Sequence, residues 1–279
     1  MPPESSPSEA AFSREGRSAH PFASVIVTVR NEARHMADLL DSLVVQEPPF
    51  EVVIIDADST DGTRDIVRRY MDRYPFLKLL EHGGLRGEAR NRGAKEAQGE
   101  ILAFIDGDCI ANPFWLKELR RTLKGADVAA GRTIQIGYWA FESLGRVELD
   151  HGGYDVTYPS CNLGYWKPVF HAAGGFDDGF HTAEDIDLNY RAVDAGAQIA
   201  ANDDAIVYHR ARDTITKFLV QAYWNGYGRK QLTLKHGNLW GRYSFKKMIR
   251  SQFSFWGLAR LASASLGYVH AKIKEKRRA

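Results

Sequence analysis

Two aspartates separated by one glycine, Asp106-Gly107-Asp108, follow the apolar run 101–105. A D-x-D at the end of a strand puts two carboxylates where they can hold a divalent cation. Mg²⁺ takes one or two carboxylates together with phosphate oxygens. A cation held there would neutralise a diphosphate leaving group and lower the barrier to its departure. The same three residues also read as a plain turn, so their neighbours must decide. Asn31 and Glu32 follow a first apolar run, and Asp56 and Asp58 close a second. Three acidic clusters converging on one edge would repel each other unless a cation or a positive ligand group neutralised them.

The elements that position these groups can be read from periodicity. Residues 24–29 form a β-branched run, a candidate for a buried strand. Met36, Leu39, Leu40, Leu43 and Val44 then recur at helical spacing. Residues 52–55 are a second strand, and Asp61-Gly62-Thr63 marks a turn and the start of a helix running to about Tyr74. Residues 77–80 predict a third strand, 86–97 a helix and 101–105 a fourth strand. This alternation means βαβ units and a mainly parallel sheet, with ligands bound at the carboxyl ends of the strands. Beyond about residue 125 the alternation weakens. Residues 127–183 read as hairpins and loops, 185–195 as a helix, 198–208 as one or two short strands, and 214 onward as helices.

Four motifs stand in order: T-V-R-N-E at 28–32, D-A-D-S-T-D-G-T at 56–63, G-E-A-R-N-R-G-A at 87–94, and D-G-D at 106–108. The series resembles glycosyltransferase family 2, inverting enzymes of GT-A fold that use nucleotide sugars, and the likeness extends over about 24–229. The resemblance implies a GT-A (Rossmann-like) α/β fold, its sheet mainly parallel and flanked by helices, with a C-terminal helical extension. It implies that Thr28, Arg30 and Glu32 line the nucleoside pocket and that Asp56 hydrogen-bonds the base. A carboxylate suits a pyrimidine ring N–H because it accepts without donating. Arg90 would face the base or the phosphates, Asp106 the ribose or a metal-bound water, and Asp108 would ligate Mg²⁺ or Mn²⁺. The chain departs from the family at Thr28, commonly Pro, and at Ala57, often a second Asp.

The likeness continues through Asn162-Leu163-Gly164 and Gly174-Gly175-Phe176-Asp177 to Glu184-Asp185. In relatives this E-D pair supplies the catalytic base, which places Asn162 and Glu184 on the acceptor side and makes Asp185 the base. Inversion needs one base to deprotonate the acceptor hydroxyl as it attacks the anomeric carbon. Asp185 begins a predicted helix, whose N–H groups would stabilise the ionised carboxylate; simple capping of that helix is the alternative. His209 completes the metal site in several relatives, although a lone His is commonly a structural hydrogen-bonding residue. Residues 221–229 (Q-A-Y-W-N-G-Y-G-R) fall where processive relatives carry Q-x-x-R-W. Trp224 occupies the Arg position, so one transfer per encounter is expected. Cys109 and Cys161 lack metal-ligand spacing and read as buried small hydrophobes. Residues 83–87 read as a mobile donor-side loop, without the Lys-Ser/Thr of a P-loop.

The net charge of +2 over 279 residues is a near cancellation. Residues 229–279 hold 13 Lys+Arg against Glu275 alone, whereas the preceding 228 hold 24 against 34 Asp+Glu. Phe245, Met248, Ile249, Phe253 and Trp256 recur near helical spacing among Lys246, Lys247 and Arg250, and Lys272, Lys274, Lys276, Arg277 and Arg278 close the chain. This reads as a basic amphipathic helix lying on an anionic membrane surface, which would suit a lipid-linked acceptor. An ordinary helix packed on the domain is the alternative. Nucleic acid is disfavoured because no recognisable module accompanies the charge. No run of 18 apolar residues argues for a membrane span. Two cysteines fit a reducing compartment, and a cytoplasmic protein on the inner face of a membrane is expected. The organisation is then a disordered leader (1–20), a nucleotide-sugar-binding half (21–125), an acceptor-binding half (126–212) and a basic helical extension (213–279). A nucleotidyltransferase or a catalytically inactive binding subunit are the competing functions.

Overall fold

A computed structural model describes residues 12–14, 16–137, 144–210, 214–243 and 254–276. β1 (Ala23–Val29), α1 (Ala33–Val44), β2 (Phe50–Asp56), α2 (Thr63–Met71), β3 (Leu77–Glu81), α3 (Arg86–Glu96) and β4 (Ile101–Asp106) alternate as expected. The four strands are parallel and lie side by side as β3-β2-β1-β4. Val25, Val27, Val52, Val53, Ile54 and Ile55 are fully buried, because a parallel sheet covered on both faces needs near-continuous apolar strands. Register sets the chemistry. Val29 pairs with Asp56 and Thr28 with Asp106, so the acidic strand ends stand in one row.

The chain continues through β5 (Cys109–Ala111), α4 (Trp115–Leu123), β6 (Val128–Ile136), a small pair β7 (Asp150–His151) and β8 (Tyr154–Asp155), and β9 (Leu163–Trp166). α5 (Lys167–Ala172), α6 (Glu184–Asp194), β10 (Ile199–Arg210), α7 (Ile215–His236) and α8 (Phe255–Lys276) follow. All but β7 and β8 join one eight-stranded sheet, ordered β3-β2-β1-β4-β9-β6-β10-β5. The hairpins and loops expected over 127–183 are therefore corrected. β6 is a nine-residue strand inside the sheet, and β9 is wedged antiparallel between β4 and β6. The two halves drawn at residue 125 thus share one sheet. β10 is a single strand of 12 residues whose register slips between Asn202 and Ile206, in place of two short ones.

Residues 16–20 do not belong to a disordered leader. Arg17 pairs with buried Asp127 at 2.6 Å, donates to the Ala126 carbonyl and lies over the Trp166 ring. Residues 1–11 lie outside the described residues. At the other end, α8 packs along α7. A Cβ on Gly226 would collide with the Ala264 backbone, and one on Gly267 with the Tyr223 backbone, so the glycines allow the two helices to touch. Within α8, Gly257, Gly267 and Ala271 face inward, whereas Phe255, Leu258, Leu266, Val269 and Ile273 are exposed. An apolar stripe is thus exposed on α8; residues 244–253, which carry most of the stripe expected from the sequence, lie outside the described residues. No helix among the described residues is long and apolar enough to cross a membrane.

Candidate active site

The D-G-D turn is built by β5 returning antiparallel to β10, with Cys109 opposite His209. His209 Nε2 thereby lies 3.3 Å from Asp108 Oδ1, and its Nδ1 is 2.9 Å from Gln135 Oε1 of β6. Ligand atoms of Asp108, Cys109 and His209 lie within 4.8 Å of one another. Gly107 is required by close approach, since a Cβ there would press into Val29 and Glu32. Burial alone would make the His209 imidazolium less stable. The hydrogen bond and charge of Asp108 outweigh this and lift its pKa to about 9. Burial and the neighbouring Cys161 push the Cys109 thiol well up. Once His209 gives up its proton, its imidazole nitrogen and the Asp108 carboxylate suit Mn²⁺ better than Mg²⁺, which prefers oxygen ligands, so the donor set fits such an ion.

Arg90, expected to face the base or the phosphates, is engaged by protein carboxylates. It is 2% exposed and braces two carboxylates, Nη2 to Asp106 Oδ1 at 2.7 Å and Nη1 to Glu184 Oε1 at 2.6 Å. Burial works against its charge, but Asp106 and Glu184 outweigh that and hold it protonated. Asn91 beside it clamps the G-G-F-D loop, donating to the Phe176 carbonyl at 2.7 Å and accepting from Phe176 N–H at 2.9 Å. The helix opened by residues 87–94 therefore ties the D-G-D turn to the start of α6.

α6 starts with Ala183 at φ 67°, a left-handed conformation that Cβ disfavours. Asn31 and Asp58, at the ends of β1 and β2, also have positive φ, 56° and 57°. Strain of this kind gathers where side chains must be aimed. Asp185 Oδ2 accepts from Ser160 N–H at 3.1 Å and Oδ1 from Ile186 N–H at 2.8 Å. The Ile186 N–H of the helix start favours the ionised carboxylate as expected, but burial and then Glu184 outweigh Arg90 and both N–H donors and raise the Asp185 pKa to about 6.

Thr28, Arg30, Glu32, Arg90, Asp106, Asp108, Glu184, Asp185 and His209 all line one cleft of about 1750 Å³. Asp56 is fully buried and is not among the residues lining the cleft, although its neighbour Ala57 is. Its Oδ1 accepts from Ser59 N–H at 3.0 Å, while Oδ2 has no hydrogen-bond partner. Asn162 is fully buried and does not reach the acceptor side. Its Oδ1 accepts from Trp115 Nε1 at 2.8 Å, and its Nδ2 donates to the carbonyls of Arg132 and Ala205. It joins α4, β6 and β10. The cleft also includes Arg146, Trp224, Arg229, Tyr243, Arg260 and Tyr268; the sequence drew attention only to Trp224 and Arg229 among them, within 221–229, and named neither as a site residue. For Arg229 and Arg260 the excess of Lys and Arg after residue 228 was a signal; Arg146, Tyr243 and Tyr268 had none.

The Glycosyl transferase family 2 profile matches residues 24–152. Glycosyltransferase AglE of Haloferax volcanii is 30% identical over 206 residues, covering 69% of this chain and 68% of that one. The mannosyltransferase PcManGT of Pyrobaculum calidifontis, solved with GDP-Man and Mn²⁺, superposes with a TM-score of 0.61 at 19% identity, covering 95% of this chain and 81% of its own. TarS of S. aureus, solved with UDP-GlcNAc, gives 0.60 at 21% identity, covering 89% and 81%. These likenesses support the GT-A fold described above.

Proposed function

The chain belongs to glycosyltransferase family 2 and acts on nucleotide sugars; from that premise we propose a metal-dependent inverting transfer from a nucleoside diphosphate sugar to an acceptor hydroxyl or phosphate. One observation carries the reading. A carboxylate with a pKa near 6, Asp185, lines the same cleft as the D-G-D turn and is tied to it through Glu184, Arg90 and Asp106. A base poised near neutral pH takes a proton efficiently. Asp185 accepts the acceptor proton while the acceptor oxygen bonds to the anomeric carbon and the bond to the diphosphate breaks. The backbone N–H groups of Ser160 and Ile186 fix the carboxylate for that transfer.

Asp56 supports the nucleoside end, because an orphan buried carboxylate oxygen needs an N–H donor such as that of a base. Thr28, Arg30 and Glu32 line the cleft, as does Ala57 next to Asp56. Asp108 and His209 hold Mg²⁺ or Mn²⁺, with Arg90 neutralising Asp106 beside them. The ion supplies charge neutralisation for the leaving diphosphate. PcManGT, described with Mn²⁺, supports that assignment. In this reading residues 21–125 serve the donor and 126–212 the acceptor.

The acceptor is lipid-linked and the enzyme works on the inner face of a membrane. The exposed stripe Phe255, Leu258, Leu266, Val269 and Ile273, with Lys272 and Lys274 close by, supports contact with anionic lipid. Liposome pelleting checks this: Leu266→Glu with Ile273→Glu should abolish binding to anionic vesicles, and unchanged binding would refute the contact. For the chemistry, Asp185→Asn should cut transfer by about 10²–10⁴-fold while the nucleotide still binds. Transfer at the wild-type rate, or transfer indifferent to a chelator, would overturn the assignment.

A further inference from the structure

Beyond the catalytic carboxylate the cleft changes character. Three guanidinium groups from three elements gather on the stretch 145–147. Arg146 belongs to the stretch itself, pairs with Asp155 at 2.6 Å and lies over the Tyr158 ring. Arg229, from α7, donates to the Val147 carbonyl at 3.0 Å and to the Tyr243 hydroxyl at 3.4 Å. Arg260, from α8, donates to the Gly145 carbonyl at 2.7 Å. All three line the same cleft as Asp185, beside Tyr243 and Tyr268.

Resting on the reading of this cleft as a glycosyl-transfer site, we propose that Arg146, Arg229 and Arg260 form an anion subsite that holds a phosphate group of the acceptor. A planar carboxylate is satisfied by one guanidinium fork, whereas a tetrahedral phosphate offers oxygens in several directions and carries more charge. Cations approaching from a loop and two helices match the second geometry. Arg260 adds an energetic reason. Burial lowers its pKa to about 10, so its charge is held at a desolvation cost that a bound anion offsets. The aromatic rings beside the subsite give an apolar wall for whatever the phosphate is attached to.

The test uses the full chain in EDTA, so that no metal at the D-G-D turn captures phosphate. Citronellyl phosphate, citronellol, glucose 1-phosphate and glucuronate are titrated calorimetrically. The phosphate should bind at least tenfold more tightly than citronellol or glucuronate. Arg229→Gln and Arg260→Gln should each weaken it about tenfold or more, Arg229→Lys less, and Asp108→Asn not at all. If Arg260→Gln fails to fold, Arg229→Gln carries the same reading. Citronellyl phosphate binding far above glucose 1-phosphate identifies a lipid phosphate, and equal binding a soluble one; both support the subsite. Citronellol or glucuronate binding as tightly as the phosphate overturns it. So does phosphate binding that survives both arginine changes and vanishes in Asp108→Asn. UDP and GDP titrated with Mn²⁺ separate the two readings: nucleotide binding without phosphate binding removes only the subsite, whereas loss of nucleotide binding removes the donor assignment.

Discussion

The two sides of α6 hold carboxylates two residues apart that have been driven in opposite directions. On the cleft side, burial and Glu184 raise Asp185 to about 6. On the far side Asp187 is fully buried, yet His236, Lys235 and Arg191 overcome its burial and lower it to about 2. His236 Nε2 lies 2.8 Å and Lys235 Nζ 2.9 Å from Asp187 Oδ1, and Arg191 Nη2 lies 2.7 Å from Oδ2. Burial alone therefore does not set ionisation here; the partners do. One carboxylate is left under-satisfied, as the proposed base requires, and the other is saturated so that α7 is fastened to α6.

Four experiments test that contrast. Asp187→Ala should be the most damaging to stability, by about 3–5 kcal/mol in denaturant unfolding, because it strands Lys235, His236 and Arg191 around a void; a loss under 1 kcal/mol would break the contrast. Asp185→Asn should act the other way, raising stability at pH 7.5 by about 1–3 kcal/mol. The signs follow from linkage. Asp185 has its pKa raised on folding, so its contribution falls as pH rises from about 4 to about 6. Asp187 has its pKa lowered, so its contribution is complete above about pH 4 and fades toward pH 2. The stabilising effect of Asp185→Asn should accordingly vanish near pH 4. In transfer assays kcat/KM should rise about tenfold per pH unit below about 6 and level off above; a flat profile from pH 5 to 8 would dissociate Asp185 from the proton transfer. The smallest effect is expected at the joint itself. Ala183→Gly should stabilise by about 0.5 kcal/mol, as relief of the left-handed strain slightly exceeds the added unfolded-state entropy.

What the sequence made legible follows the same division between partners and position. β1 to β4 could be read because a covered parallel sheet demands β-branched runs, and Asp56, Asp106 and Asp108 because they stand where those runs stop. β6 and β9 could not. β6 opens Val-Ala-Ala-Gly and β9 is Leu-Gly-Tyr-Trp, sequences set by close packing, with Gly131 meeting Asn162 and the Ala205 carbonyl. Asp185 was legible as a candidate base, but its direction of titration was not, because that depends on burial and on groups such as Ser160 N–H, 25 positions away, whose hydrogen bond opposes the shift. Arg90 and Asn162 were recognised as important, but the protein groups that hold them were not. Both bind protein groups distant in sequence, and neither distance nor burial is written in a local motif.

The wedge of β9 between β4 and β6 bears on how the chain is made. During synthesis β3, β2, β1 and β4 can pair as soon as residue 106 has emerged, since their crossovers are short and local. β4 then remains the open flank of a growing sheet, presenting apolar residues and unpaired backbone until Leu163–Trp166 arrives to cover it. Almost sixty residues of translation separate the two events, at about 5–20 residues per second. For those seconds the nascent enzyme carries an adhesive edge, and a ribosome stalled before codon 163 would release a fragment prone to aggregate.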